Sequence, residues 1–310
     1  LRSAKGTSFY PELNFASGTL HKIKYMSYSV TDLTGSAKEI IQQVLDADES
    51  QLLIPPKLAD QNLDISKPPT DDKYIGLFSS GSTGTPKCIW NTEERLLLNG
   101  RLTAKAFGVS SSDKLLMMAA PWHVAGFSWA LMAEQLGCEF QFVSTKKGEE
   151  DRWLKAVQKY KPDFLMTVPA VLRALFGQRW FVPNVVYGGY PIRNEDYASL
   201  AKHCSTMIQG YGQTEAGGLI SCYHRSANQI PKPDEHLCHG KVLDGGKLTC
   251  KGTIHHPKPI LLHSPTAFTN ETYDTGDLGY MDEYGNIHIT PAEERDNSTT
   301  QKGMDSTKPN

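Results

Sequence analysis

The sequence predicts an α/β fold: a mainly parallel sheet covered by helices on both faces, followed by a small β subdomain. Three observations carry this. From Tyr74 to Cys222 short apolar runs alternate with amphipathic segments. The runs are continuously apolar, as strands buried on both faces are. Beyond Gln229 the pattern gives way to short runs separated by glycine, proline and an Asp-Glu-Tyr-Gly turn.

The elements follow in chain order. Residues 1–70 read as a reduced N-terminal segment and linker. Within them, "AKEIIQQVLDA" (37–47) has helical spacing, and "IPPKLADQNLDISKPPTDDK" is a proline-rich connector. Residues 71–225 form the α/β core. Its strands are expected in "YIGLFS", "DKLLMMAA", "CEFQFV", "DFLMTV", "NVVYGG", "TMIQGYG" and "GLISC". Helices are expected in "TEERLLLNGRLTAKAFG", "HVAGFSWALMAEQLG", "EEDRWLKAVQKY", "PAVLRALFG" and "NEDYASLAKHC". Residues 226–290 make the small β subdomain, with strands in "GGKLTCKG", "TIHH", "ILLHS" and "GNIHIT". Residues 291–310 are a polar, hinge-like tail. No internal repeat is visible.

Bulk properties narrow the function. A chain of 310 residues buries a large core. A formal net charge of −2 gives no global basic field, which argues against a nucleic-acid partner. No apolar run reaches the roughly 18 residues a membrane span needs, so no membrane partner is expected. The opening "LRSAKGTSFYPELNF" lacks the apolar centre of a secretory signal. Six cysteines without a C-x-x-C pair read as reduced thiols in a cytoplasmic protein.

The most informative stretch is "LFSSGSTGTPKCIW". It offers hydroxyls on Ser79, Ser80, Ser82, Thr83 and Thr85, and backbone freedom at Gly81 and Gly84. Lys87 adds a point charge suited to phosphate. The common G-x-x-x-x-G-K-[ST] loop runs straight into a helix. Here Pro86 precedes the lysine and another extended run follows, so the loop reads as a connection between two strands. The bland alternative is a flexible surface turn, and a P-loop-type phosphotransferase is disfavoured by Pro86.

"SSGSTGTPK" resembles the signature loop of the adenylate-forming enzymes: acyl- and aryl-CoA synthetases, luciferases and peptide-synthetase adenylation domains. Further segments follow in family order over residues 74–290. "PWHVAGF" is similar to P-x-x-H-x-x-G, one residue short before the histidine. "MTVPAVLRAL", "VVYGGYPI", "YGQTEAGG" and "YDTGDLGYMDEYGNIHI" resemble the remaining motifs.

The resemblance implies ATP-dependent activation of a carboxylic acid to an acyl-adenylate, with release of pyrophosphate. Transfer to a thiol such as CoA follows. ATP, Mg²⁺ and CoA are the implied cofactors, and an o-succinylbenzoate–CoA ligase-like enzyme of menaquinone synthesis is one implied member. On these motifs Ser79–Thr85 and Lys87 hold phosphates. Gly188, Gly189 and Tyr190 pass beside the adenine, and Tyr211 covers its face with Gly212 next to it. Thr214 bonds the α-phosphate, Glu215 ligates Mg²⁺, and Asp277 takes the ribose hydroxyls. His123 sits near the acyl carboxylate, and Arg295 is the implied ribose-contacting arginine. Each residue has a plainer reading: Glu215 as an acid near a helix start, Asp277 as a turn aspartate, His123 as a helix cap.

Departures accompany the matches. Only 78 residues precede Ser79. The hinge pattern after the T-G-D motif is degraded to "ERDNSTTQKGMD", although Arg295 and Gly303 keep their separation. The family's C-terminal lid domain is expected to be absent, which leaves a nucleotide or acyl-adenylate binding protein with reduced catalysis as the alternative. A second constellation, Cys222-x-His224 with His236-x-Cys238-His239, offers tetrahedral zinc ligands in a spacing that matches no common zinc motif.

Overall fold

The computed structural model describes residues 28–70, 72–79, 86–146, 148–190, 192–229 and 237–291. β1 (Tyr28–Val30), β2 (Ser50–Leu52), β3 (Tyr74–Ser79) and β4 (Lys87–Thr92) form a four-stranded sheet in that order. β1, β2 and β3 are parallel, and β3 pairs antiparallel with β4. The sequence reading put "YIGLFS" with the strands that follow it. Instead it joins two short strands from the stretch read as a reduced N-terminal segment and linker. Three-residue strands carry too little periodicity to be seen in sequence.

A second sheet contains seven strands. They are β5 (Lys114–Met117), β6 (Glu139–Phe142), β7 (Phe164–Thr167), β8 (Val182–Gly188), β9 (Cys204–Gln213), β10 (Gly218–Ser226) and β11 (Lys241–Val242). Their order is β11-β10-β9-β8-β7-β5-β6. The strands from β6 across to β9 are parallel, while β10 and β11 close one side antiparallel.

Helices cover both faces of this sheet. They are α1 (Ala37–Asp46), α2 (Glu93–Phe107), α3 (Val124–Leu136), α4 (Glu150–Tyr160), α5 (Pro169–Leu175) and α6 (Asn194–Leu200). Alternate strand residues separate the two cores, as the two-residue period requires. Leu115, Met117, Phe164, Met166, Val186 and Ile208 face α1, α2 and α3. Leu116, Leu165, Val185, Tyr187 and Met207 face α4, α5 and α6. α3 is apolar all round because it lies between the two sheets, touching β3 on one side and β5 and β6 on the other.

Local chemistry sets the helix ends. Ser36 and Glu39 form a capping box at α1. Thr92 caps α2 by accepting from Arg95 N at 3.3 Å. Pro169 opens α5, where its missing N–H costs nothing. α6 stops at Leu200, short of the expected Cys204, because His203 and Cys204 turn back into β9.

The third sheet is antiparallel: β12 (Lys247–Thr249), β13 (Lys258–His263), β14 (Tyr273–Met281) and β15 (Ile287–Thr290). "TIHH" is not a strand of it. Thr253 and His256 make only an isolated bridge across a tight turn. This sheet packs through Leu248, Ile260, Leu262 and Ile287 on Tyr211, Ala216 and Ile220 of the seven-stranded sheet.

One close approach fixes the entry to α3. A methyl group on Gly126 would overlap the Ala119 and Ala120 carbonyls. Gly126→Ala should therefore destabilise the fold by about 1–3 kcal/mol through backbone displacement. Urea denaturation reads this as a lowered midpoint; an unchanged midpoint would show that the segment yields freely.

Candidate nucleotide site

Parallel sheets bind ligands beyond the carboxyl ends of their strands, where successive crossovers leave on opposite faces. Here that point lies between β5 and β7, since α3 leaves toward one face and α5 toward the other. His123 and Thr167 stand beside it, and Gly188 and Gln213 end the neighbouring strands β8 and β9.

The turn after β9 carries Thr214 and Glu215, and it is held from several directions. Asn91 Nδ2 donates to Thr214 O at 3.0 Å. Phe268 N donates to Glu215 O at 2.8 Å, and Thr266 Oγ1 donates to Ala216 O at 2.9 Å. Asn99, fully buried on α2, donates to Leu219 O at 2.9 Å and accepts from Leu219 N at 3.2 Å. A turn gripped this way keeps one conformation before any ligand arrives.

Beside the turn, β9 meets β14. Tyr211 Oη donates to Asp277 Oδ2 at 2.9 Å. Gln213 Nε2 donates to the same oxygen at 2.9 Å and to Thr275 O at 2.9 Å. Burial, and then the Asp277 carboxylate, hold the Tyr211 phenol well above its usual pKa, so it stays a donor. The edge of His239 packs against the Tyr211 ring, with centroids 6.0 Å apart. Gln209 fixes that imidazole: its Nε2 donates to His239 Nε2 at 3.0 Å, while His239 Nδ1 donates to Leu237 O at 2.7 Å. The hydroxyls of Tyr187 and Tyr197 both donate to Gln209 Oε1.

The other sequence-nominated residues are distributed around this seam. Ser79 and Lys87 pair at the mouth of the β3–β4 hairpin, which makes the serine- and threonine-rich loop a connection between strands. Lys87 is exposed, and the buried Ser79 Oγ has no hydrogen-bond partner among the described residues. Ser80, Gly81, Ser82, Thr83, Gly84, Thr85 and Arg295 lie outside the described residues. Gly188 runs alongside Gly210, whose carbonyl a Cβ would meet at 2.9 Å. Gly189 adopts left-handed backbone at φ 85°. Tyr190 is 76% exposed. Gly212 packs against the Gly218 carbonyl, Thr214 is buried, and Glu215 is half-buried.

His123 is the N-cap of α3, its Nδ1 accepting from Ala125 N at 3.4 Å. The surrounding protein, and then the Lys57 ammonium, hold its pKa below the usual imidazole value, so the ring is neutral at pH 7. The zinc constellation is not assembled. His224 Nε2 meets Ala106 O at 2.8 Å, His239 belongs to the Gln209 network, and His236 lies outside the described residues. Among the described residues no three His, Cys, Asp or Glu side chains come together as a metal site.

Sequence reasoning missed Asn91, Asn99, Gln209, Gln213 and Tyr273, and it singled out His239 only as a zinc ligand. Gln213 had a signal, since it sits inside "YGQTE". Tyr273 lies two residues before Thr275, and its buried hydroxyl has no partner among the described residues. Burial, and then the Glu215 carboxylate, raise its pKa.

The chain matches the model of the AMP-binding enzyme family over residues 22–249, and it belongs to that family. A probable CoA ligase, CCL5, of Humulus lupulus is 24% identical over 249 residues, covering 71% of this chain and 45% of that protein. The 2-succinylbenzoate–CoA ligase of Listeria innocua is 23% identical over 224 residues, covering 69% and 48%. The chain thus spans about half the length of the curated relatives it matches. Among solved structures, the o-succinylbenzoate coenzyme A synthetase of Bacillus subtilis in complex with ATP and magnesium ion superposes with TM-score 0.63 at 18% identity, covering 89% of this chain and 62% of that one. A long-chain-fatty-acid–CoA ligase of Archaeoglobus fulgidus gives TM-score 0.62 at 17% identity, covering 91% and 72%.

Asn99→Ala strips both backbone groups of Leu219 of their buried partner. It should cost about 2–3 kcal/mol of stability. A loss below roughly 0.5 kcal/mol in chemical denaturation would mean that the clamp contributes little.

Proposed function

We propose that this chain binds Mg·ATP at the β9–β14 seam and activates a carboxylic acid as its acyl-adenylate, for transfer to a thiol such as CoA. The observation that carries this reading is the joined Tyr211–Gln213–Asp277 cluster beside the clamped Thr214–Glu215 turn. In this reading Tyr211 is the aromatic platform, Asp277 the carboxylate for the sugar and Thr214 the phosphate-side hydroxyl. The family match and the CoA-ligase relatives support it.

In the first step an oxygen of the acid forms a bond to the α-phosphorus. The bond from that phosphorus to pyrophosphate breaks, and pyrophosphate leaves. In the second step the thiol sulfur, as thiolate, bonds to the acyl carbon and AMP departs. Both steps depend on positioning and charge neutralisation. Asp277 accepts from the sugar hydroxyls, and Thr214 donates to the α-phosphate. Ser79, whose buried hydroxyl lacks a partner among the described residues, and Lys87 face the outer phosphates. Neutral His123 stands at the crossover point between β5 and β7, where the acid enters.

Glu215 suits magnesium. It is a hard oxygen donor that belongs to no cluster of metal-ligating side chains among the described residues, and Mg²⁺ binds through one or two carboxylates, water and substrate phosphates. When bound, the ion neutralises phosphate charge. The remaining fit is a matter of this chain's residues: the Phe268 amide holds the Glu215 backbone, and Asn91 holds Thr214.

Lys87→Ala should weaken ATP binding by about 1–3 kcal/mol in calorimetry. Glu215→Gln should raise the magnesium concentration required for pyrophosphate exchange with a panel of carboxylic acids. Asp277→Asn should chiefly weaken nucleotide affinity. Wild-type affinity, metal dependence and exchange in all three variants would reject the reading.

A further inference from the structure

Gln213 stands on β9 of the seven-stranded sheet, two residues beyond Tyr211, so both side chains leave the same face of the strand. Across the seam runs β14 of the small antiparallel sheet, with Thr275 and Asp277 also two residues apart. The carboxamide nitrogen of Gln213 has two hydrogens. Its two short contacts are to Thr275 O and Asp277 Oδ2, each at 2.9 Å, and Tyr211 Oη lies further away at 3.3 Å. One amide therefore grips both the backbone and the carboxylate of the facing strand. Tyr211 Oη donates to the same carboxylate oxygen at 2.9 Å. Asp277 Oδ2 thus takes two donors from β9, and together they hold that oxygen against the strand.

We propose that Gln213 is a positioning residue for sugar recognition: it orients the Asp277 carboxylate toward a nucleotide ribose and so sets the preference for an intact diol. The inference rests on the nucleotide reading above. Asp277 is only half-buried and belongs to a small sheet. Without the amide, one of the two β9 donors on Oδ2 is lost and the Thr275 carbonyl is released. The carboxylate then turns about its side-chain torsions. Discrimination by a polar group depends on holding it where the substrate hydroxyl meets it, because the analogue lacking that hydroxyl leaves the group unpaired. A methionine in place of Gln213 fills a similar volume and donates nothing.

The test is calorimetric titration of the 310-residue chain with Mg·ATP, Mg·2′-deoxy-ATP and Mg·3′-deoxy-ATP. The wild type is expected to bind at least one deoxy analogue about tenfold more weakly than ATP, the loss of one hydrogen bond to a charged group. Gln213→Met should bring that ratio below about threefold, while affinity for the deoxy analogue changes little. Gln213→Asn, whose amide is one methylene too short to span the seam, carries the same expectation and serves if thermal unfolding shows the methionine variant to be unfolded. A purely structural role would weaken all three nucleotides alike and leave the ratio intact, which overturns the inference. So does a wild type that binds ATP without discriminating between the analogues. A wild type that binds no ATP fails differently: it removes the nucleotide reading itself.

Discussion

The clamp on the turn after β9 is the constraint on which the rest of this site depends. Thr214 O, Glu215 O, Ala216 O and Leu219 O receive donors from three distant parts of the chain: Asn91 on β4, Thr266 and Phe268 in the β13–β14 connection, and Asn99 on α2. Buried backbone carbonyls demand partners, and here the partners come from β4, from α2 and from the β13–β14 connection. Satisfying them brings the β3–β4 hairpin, the seven-stranded sheet and the small sheet together at one turn.

That convergence joins candidate residues from different sheets. β9 brings Tyr211 and Gln213 and β14 brings Asp277, while Ser79 and Lys87 end the β3–β4 hairpin whose Asn91 holds the turn. No one sheet supplies the set. The buried Gln209 network beneath Tyr211 extends the same logic. Low dielectric makes an unpaired polar group costly, so Tyr187, Tyr197, Gln209 and His239 hold one mutual arrangement. The ring of Tyr211 rests against that arrangement through His239.

Much of the fold was legible because the central strands are apolar on both faces. "KLLM" and "FLMT" can be nothing else in a two-sided sheet. The division into two large sheets was not legible. β1 and β2 are three residues each, and the pairing of β2 with β3 crosses a proline-rich stretch. At the site, glycine-rich and acidic motifs announce themselves by composition. Asn91 and Asn99 do not, since a buried asparagine acquires meaning only from a carbonyl more than a hundred residues away. His123 carried both a chemical and a helix-cap reading in sequence, and the geometry shows the cap.

Hydrogen exchange on the ligand-free chain tests most directly whether the seam is ordered before any ligand binds. The amides of Ala216, Gly217 and Leu219 should exchange as slowly as those of the central strands β7 and β8, because the clamp opens only when the core opens. Exchange at the rate of an ordinary surface turn, with β7 and β8 still protected, would show that the turn moves independently and that the site takes shape only around its ligand.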